Sequence, residues 1–367
     1  MAKLSFAVGL AAALTIGAAA FAQEPQLDQL YAKVRGGSIA LAVHSVDGLE
    51  QVVQKFQAKY PQLNVKMTVI NPSQLAPRVV TEQQNGIFAW DVYWGGTGNM
   101  ENNVVPAGGL APIADHLVLA SVKDKSQWLE TGRDEQYVFP FTGWTERTTY
   151  FNTDRLRRLG VDPIAKADDL LNPKLKGEIA IRDPGRQNNG NYSIAAMIQD
   201  INDDAKGFKI ARDLLGTMNA MIVDNAQQVT NTVMTGEKAV VVGGGPDIIA
   251  RCQIAGGCKN VQKVPFGAYL NYRGVVVFKN APNPDAARLF VNWLLSKEGQ
   301  ETYVQTWAQF NTTGAVSLRK DVKPHPDHAD NLPTEKELVT LYQATSDRGQ
   351  DLAEKVIVVR RETSAGR

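Results

Sequence analysis

The sequence predicts an α/β protein in two lobes, each a mixed, mainly parallel sheet flanked by helices. Three observations predict it. At 367 residues the chain is longer than one comfortable core serves, so two compact units are expected. Strand and helix patterns alternate as βαβαβ over 39–94, the order that builds a right-handed parallel sheet. A second α/β set follows an aromatic, turn-rich stretch at 138–150.

Each element has its own reason. Ile39 to Val43 is an apolar run suited to a buried parallel strand. From Leu49 to Tyr60 the apolar residues Val52, Val53, Phe56 and Tyr60 fall at helical spacing, and Pro61 stops the helix. Val65, Met67 and Val69 alternate as in a strand. Gln74 to Gln84 reads as a helix and Asp91 to Trp94 as a short strand that runs into a Gly-rich loop. Phe139 to Trp144 and Thr148 to Asn152 read as the passage into the second lobe.

Beyond it, Asp168 to Ile181 reads as a helix, a turn and a strand. Ser193–Ile201, Ala211–Met218 and Ala226–Thr235 read as helices, and Ala239–Val242 as a buried strand. A further helix follows Asp247. Phe266 to Arg273 reads as the return crossing and Gly274 to Phe278 as a strand. The helix from Pro284 carries Ala286, Leu289, Phe290, Trp293 and Leu294 on one face, and proline suits its first turn. From Pro333 the chain reads as an outer helix, with a disordered tail from Arg360. No fixed-period repeat is present.

Composition excludes several classes. Lys and Arg number 39 against 38 Asp and Glu, so the electrostatic footprint of a nucleic-acid binder is absent. One apolar stretch, Leu10 to Phe21, follows Lys3 and closes on Ala20-Phe21-Ala22. That is the three-part pattern of a secretory leader over 1–22, not a membrane span. Without Lys3 the charges balance at 38 each. Export to the periplasm makes Cys252 and Cys258, the only cysteines, a disulfide across a short loop that Gly256 and Gly257 let turn sharply. A metal or redox pair is the competing reading, but the spacing is not C-x-x-C and no His lies nearby. No G-x-S-x-G, P-loop or H-E-x-x-H occurs, so hydrolase and nucleotide readings lack their motifs.

A set of ordered fragments carries a family resemblance. These are Phe56-x-x-x-Tyr60-Pro61 with Val65, Ala89-Trp90-Asp91-Val92, and Leu170-Leu171-Asn172-Pro173-Lys174-x-Lys176-Gly177 with Ile179 and Asp183-Pro184. Thr235-Gly236-Glu237-Lys238-Ala239 follows, then Ala287-x-x-Phe290-x-x-Trp293-Leu294-Leu295-Ser296-x-Glu298-Gly299-Gln300. In their order and spacing the chain resembles the extracellular solute-binding proteins of ATP-driven ABC importers, in the subgroup of ferric-ion and hexose-phosphate or phosphonate binders. The resemblance implies the type 2 periplasmic-binding-protein fold, a ligand between the lobes, hinge closure and docking on a membrane permease. It places lobe 1 at 23–142 and 272–367 and lobe 2 at 143–271, with crossings near 140–150 and 266–273. A monomer without cofactor or catalytic site is expected. Ferric binders of the family carry adjacent tyrosines, and this chain has no Tyr-Tyr pair.

The candidate ligand contacts lie at strand ends. After the first strand, His44 and Ser45 can face the cleft, and Ser45 can hold an anion at a helix start; Ser45 or Asp47 can equally cap that helix. Gly96 and Thr97 end the third strand and offer close backbone approach and a hydroxyl. Arg186 can clamp carboxylate or phosphate with its fork, whereas Arg182 has Asp183 as a surface partner. Asn188, Asn189 and Tyr192 are loop polars of the kind that face water. Gly244, Gly245 and Asp247 form a strand-to-helix loop. It echoes a dinucleotide fingerprint, but Ile248 falls where the third glycine belongs. Tyr269 lies on the return crossing, and Trp94 and Trp144 wall the cleft or fill the core. His325 and His328 stand without other metal ligands nearby. The expected ligand is a small anionic organic solute: a phosphate ester, phosphonate or carboxylate. Ferric ion or a polyamine is the alternative, and an exported enzyme the second.

Overall fold

The computed structural model describes residues 24–44, 48–131, 135–309, 314–343 and 346–365. The expected leader at 1–22, Ser45 and Asp47 lie outside them.

Helix α1 (Pro25–Val34) opens the first lobe. It is followed by β1 (Ser38–Val43), α2 (Leu49–Lys59), β2 (Asn64–Val69), α3 (Pro72–Gln84) and β3 (Val92–Gly96). The Asn71 carboxamide accepts the Ser73 N–H at the start of α3, and Pro72 takes its first turn. Short β4 (Leu110–Ala111) and α4 (Ala120–Lys123) lead to β5 (Phe139–Glu146). The second lobe then runs β6 (Thr149–Asn152), α5 (Thr153–Leu159), β7 (Ile179–Arg182), α6 (Asn189–Ile201) and α7 (Asp204–Gly216). It continues through β8 (Met221–Val223), α8 (Ala226–Met234), β9 (Val240–Val242), α9 (Pro246–Ile254) and β10 (Val261–Lys263). Strand β11 (Tyr269–Phe278) returns to the first lobe, followed by α10 (Pro284–Leu295) and α11 (Lys297–Ala308). Two more helices, α12 (Glu335–Thr340) and α13 (Asp347–Ala365), end the chain.

The first sheet has the order β2-β1-β3-β11-β4, with β5 also paired to β11; the second has β10-β6-β9-β7-β8. Strand β1 is parallel to β2 and β3, and β7 is parallel to β8 and β9. The crossing strands β11 and β6 run antiparallel to their neighbours. Each sheet therefore keeps a parallel centre with an antiparallel side, and the whole is the expected two-lobe α/β fold.

Asp91 gives the Trp-Asp-Val fragment a structural meaning. It is fully buried, accepts the Ala40 N–H at 2.7 Å, and accepts the Asn283 N–H and amide at 2.6 and 3.0 Å. One carboxylate thus fixes β1 to the start of α10. The first core collects around Phe56, Trp94, Phe290, Trp293 and Trp307, so Trp94 is a core residue. The second gathers Ile179, Ile194, Ile198, Leu214 and Val240.

Several expectations change. The 168–175 stretch folds as two 3-10 turns, Ala167–Leu171 and Pro173–Leu175, because Pro173 interrupts it. The crossing expected at 266–273 and the strand expected at 274–278 share one continuous strand, β11, which begins at Tyr269. The largest correction is at the end of the chain. Leu352, Val356 and Val359 of α13 belong to the second core, and the helix packs on α6 and α7. The assignment of 272–367 to lobe 1 therefore fails for Asp347–Ala365. Leu338 still belongs to the first core, whereas Tyr342 joins the second. Between them the Leu270 N–H donates to the Tyr342 carbonyl at 2.9 Å, and Tyr342 bridges Tyr269 in parallel. This is a third crossing. The helix also continues past Arg360, whose guanidinium holds Asp183 at 2.9 Å, where a disordered tail was expected.

Candidate functional site at the interlobe cleft

A cavity of about 460 Å³ opens between the lobes at the carboxyl ends of β1 and β3. His44, Gly96 and Thr97 come to it from those two ends, as expected of ligands bound beyond parallel strand ends. Asn99, Asn102 and Asn103 follow from the turn after β3. Leu270, Asn271 and Tyr272 of β11 form one wall, and Gln187 and Tyr192 enter from the second lobe. Among the described lining residues none is Asp, Glu, Lys or Arg. The surface on offer is amide, hydroxyl, imidazole and phenol.

His44 is held by its neighbours. Gly95 has φ +150°, and a Cβ there would sit 2.5 Å from the His44 Cβ, so only glycine lets the imidazole lie alongside. The His44 Nδ1 is buried and has no hydrogen-bond partner among the described residues. Burial, and then the positive charge of Arg273, push its pKa down to about 4, so the ring is neutral at neutral pH.

Two ionisable side chains flank the wall of β11. Arg273 stands opposite Gly96 of β3 and Thr142 of β5. It is 6% exposed. Its guanidinium lies between the rings of Trp144 and Trp307, at 4.4 and 4.2 Å from their centroids. Its Nε and Nη1 are buried without a hydrogen-bond partner among the described residues. Glu146, at the end of β5, stands opposite Tyr269 and is 7% exposed. It accepts a hydrogen bond from the Asn271 amide. Burial first, and the Asp247 charge second, push its pKa up to about 8, against the pull of Lys263 and Arg273. Neither Arg273 nor Glu146 has an ion-pair partner within 4.0 Å among the described residues.

The other candidates separate clearly. Trp144 is buried and walls Arg273, not the cavity. Arg186 is exposed, pairs with Asp224 and is not on the cavity lining, although its neighbour Gln187 is. Arg182 donates to the Asp224 carbonyl, and Asp183 takes Arg360 as its partner instead. The glycine loop is spoken for: the N–H groups of Gly243 and Gly244 donate to the Thr148 carbonyl, and that of Gly245 to the Thr230 hydroxyl. Those donors are not open to an anion. Asp247 lies off the cavity, its charge felt at Glu146. Tyr269 is buried, its hydroxyl 3.4 Å from Thr148 and its ring against Tyr192. Cys252 and Cys258 form the expected disulfide, their Cα atoms 5.7 Å apart and away from the cavity. His325 caps a 3-10 turn by accepting the Asp327 N–H.

Arg273 and Glu146 were missed by sequence reasoning. Both stand on the aromatic crossing segments, and a charge set between Trp or Tyr residues on a crossing is the signal that could have found them.

Fold and cleft together define a two-lobe ligand-binding protein. The chain belongs to the bacterial extracellular solute-binding protein family, whose pattern it matches over residues 51–331. An uncharacterized protein of Haemophilus influenzae is 35% identical over 170 residues, which is 41% of this chain and 43% of that protein. The chain thus matches less than half the length of that relative. Among solved structures, the periplasmic binding protein AfuA from Actinobacillus pleuropneumoniae, with fructose-6-phosphate bound, is 22% identical with a TM-score of 0.62. It aligns over 88% of this chain and 99% of that one. Iron-bound HitA from Pseudomonas aeruginosa aligns over 89% and 99%, at 19% identity and a TM-score of 0.64. PotD of a spermidine/putrescine transporter from Streptococcus pneumoniae aligns over 89% and 99%, at 13% identity and a TM-score of 0.64. At such identities the likeness speaks for the fold, which is the type 2 periplasmic-binding-protein fold. No helix among the described residues is long and apolar enough to cross a membrane.

Proposed function

We propose that the protein is the periplasmic solute-binding component of an ABC importer, and that it takes a small polar organic solute with an anionic group. The observation that carries the reading is the cavity between the lobes, whose described lining holds no charged side chain, with the buried Arg273 next to its lining residue Tyr272 on β11. Amides and hydroxyls of Asn99, Asn102, Asn271 and Thr97 match a polar organic body. The anionic preference comes from Arg273 and not from Arg186, which Asp224 neutralises. Closure of the lobes adds Gln187 and Tyr192 to contacts that the first lobe makes alone, so binding favours the closed form. That form docks on the permease, where energy coupling takes place. Among the described residues no three His, Cys, Asp or Glu side chains group as metal ligands. The family match, the leader pattern at 1–22 and the disulfide support work outside the cytoplasmic membrane.

A thermal-shift screen of small solutes tests the reading. A solute at 100 times its Kd stabilises the native state by about 2.7 kcal/mol. Shifts with phosphorylated or carboxylated organic compounds are expected. Shifts with ferric ion or spermidine alone would overturn the reading.

A further inference from the structure

A second cavity, of about 890 Å³, lies between the lobes, and Asn102 lines both it and the cleft cavity. The two spaces meet at that side chain. Thr131 and Tyr137 bring the first lobe to the second cavity, and Gln199 and Asn202, at the end of α6, bring the second lobe. The third crossing supplies a further wall, with Leu341 and Gln343 lining the cavity on either side of Tyr342. Side chains alternate along an extended chain, so the bridge that turns Tyr342 into the second core turns its neighbours away from that core. Val339 of α12 also lines the cavity and is 60% exposed. From α13 the Gln350 amide reaches across to donate to the Asn102 side-chain oxygen at 3.5 Å.

The lining has a definite chemistry. Carboxamides recur in it, at Asn102, Gln199, Asn202, Gln343 and Gln350. Each sets a donor beside an acceptor, which matches neighbouring hydroxyl groups, and Tyr137 adds a ring on which the C–H face of a sugar packs. Gln199 and Gln343 are already oriented, because they donate to the carbonyls of Thr340 and Leu338 at 2.9 and 2.7 Å. The charges present do not favour an anion. Arg348 is paired with Asp204 and Asp351, while Glu101 and Asp347 add negative charge.

We propose that the solute is longer than one sugar ring, with its anionic group in the cleft cavity and an uncharged, polyhydroxylated end that passes Asn102 into the second cavity. This rests on the solute-binding reading and deepens it. Such a solute meets both lobes at two places, and its far end lies against the third crossing.

The test is a calorimetric comparison of trehalose 6-phosphate with glucose 6-phosphate on the full-length protein. The disaccharide phosphate is expected to bind about tenfold or more tighter, the worth of one or two further hydrogen bonds. Val339→Trp fills the second cavity from an exposed position and is expected to erase that preference. Asn202→Gly removes one carboxamide where φ is +52°, which glycine adopts freely, and is expected to cut the preference about threefold. Should Val339→Trp fail to fold, Asn202→Gly decides. Equal or weaker binding of the disaccharide phosphate, or a preference that survives the variants, overturns the extended solute and leaves solute capture standing. Melting shifts with other phosphate esters or carboxylates, when neither sugar phosphate binds, do the same. No heat with either sugar phosphate and no melting shift with any organic solute overturns both readings.

Discussion

The guanidinium of Arg273 lies 4.4 Å from the centre of the Trp144 ring, and Trp307 closes its other side at 4.2 Å. A cation between two indole faces gains from both ring quadrupoles where water is excluded. Trp144→Ala removes one face and leaves a void in a region already crowded against Gly314. The expected loss is about 3–5 kcal/mol in urea denaturation, the range for burying and then deleting a large aromatic. Trp144→Phe retains a ring and is expected to lose well under half of that. Equal losses in the two variants would show that volume, not the ring face, is what Arg273 uses.

Asp91 predicts a second stability effect. Asp91→Ala orphans the N–H groups of Ala40 and Asn283 in the interior. A loss of about 3 kcal/mol or more is expected, since hydrogen bonds to a buried charge are among the stronger ones. An unfolding midpoint within error of the parent chain would contradict this.

Glu146 makes stability depend on pH with a definite sign. Its folded pKa of about 8 lies above the ordinary carboxyl value of 4.5, so the native state holds the extra proton between them. The contribution is complete below pH 4.5 and disappears as pH rises through 8. One proton corresponds to a slope of about 1.4 kcal/mol per pH unit. Denaturation midpoints of Glu146→Gln, followed from pH 5 to 8, are expected to fall less steeply than those of the parent. Parallel curves would refute a protonated Glu146.

His44 acts in the opposite direction. Its folded pKa, about 4, lies below 6.5, so the unfolded chain binds the extra proton between those values. Stability therefore rises with pH from 4 to 6.5 on this account and is level above it. His44→Gln is expected to flatten that rise, and NMR titration of the imidazole reads the pKa directly. A ring that titrates near 6.5 would remove the burial argument.

The disulfide predicts a separation of stability from binding. Replacing Cys252 and Cys258 by Ser opens a six-residue separation. The chain-entropy relation gives a loss of about 2 kcal/mol for so small a loop. Solute affinity is expected to hold, because neither cysteine lines the cavity. A changed affinity would place the loop in the binding surface.

Much of the fold was legible because local pattern and burial agree. Pro284 with Leu289, Phe290, Trp293 and Leu294 reads as a helix and folds as one. The runs at Ile39–Val43 and Ala239–Val242 became central strands for the same reason. Helix α1 carries Leu27, Leu30 and Val34 at helical spacing behind a proline, a short pattern that the sequence reading passed over. The site was harder to see. Arg186 looked free because Asp224, which holds it, is 38 residues away. The glycines of 243–245 looked open because Thr148 and Thr230, their acceptors, are remote in sequence. Arg273 became notable only when the indoles of Trp144 and Trp307 met across it. Each is a tertiary fact with no local pattern.

The Tyr342 crossing has a mechanical meaning. Two bodies joined by a single flexible link can tilt, twist and slide against each other. Each additional link set apart from the first removes some of those movements, and three leave little besides a swing about one line. The lobes here are joined at β5–β6, at β10–β11 and at Tyr342. The freedom that a solute would otherwise have to quench is largely removed when the chain folds, so less of its contact energy is lost to ordering. Cutting the chain after α12 would therefore do more than strip a helix from the second core. It would return twist to the joint, and weaker binding would follow even where every cavity side chain is intact.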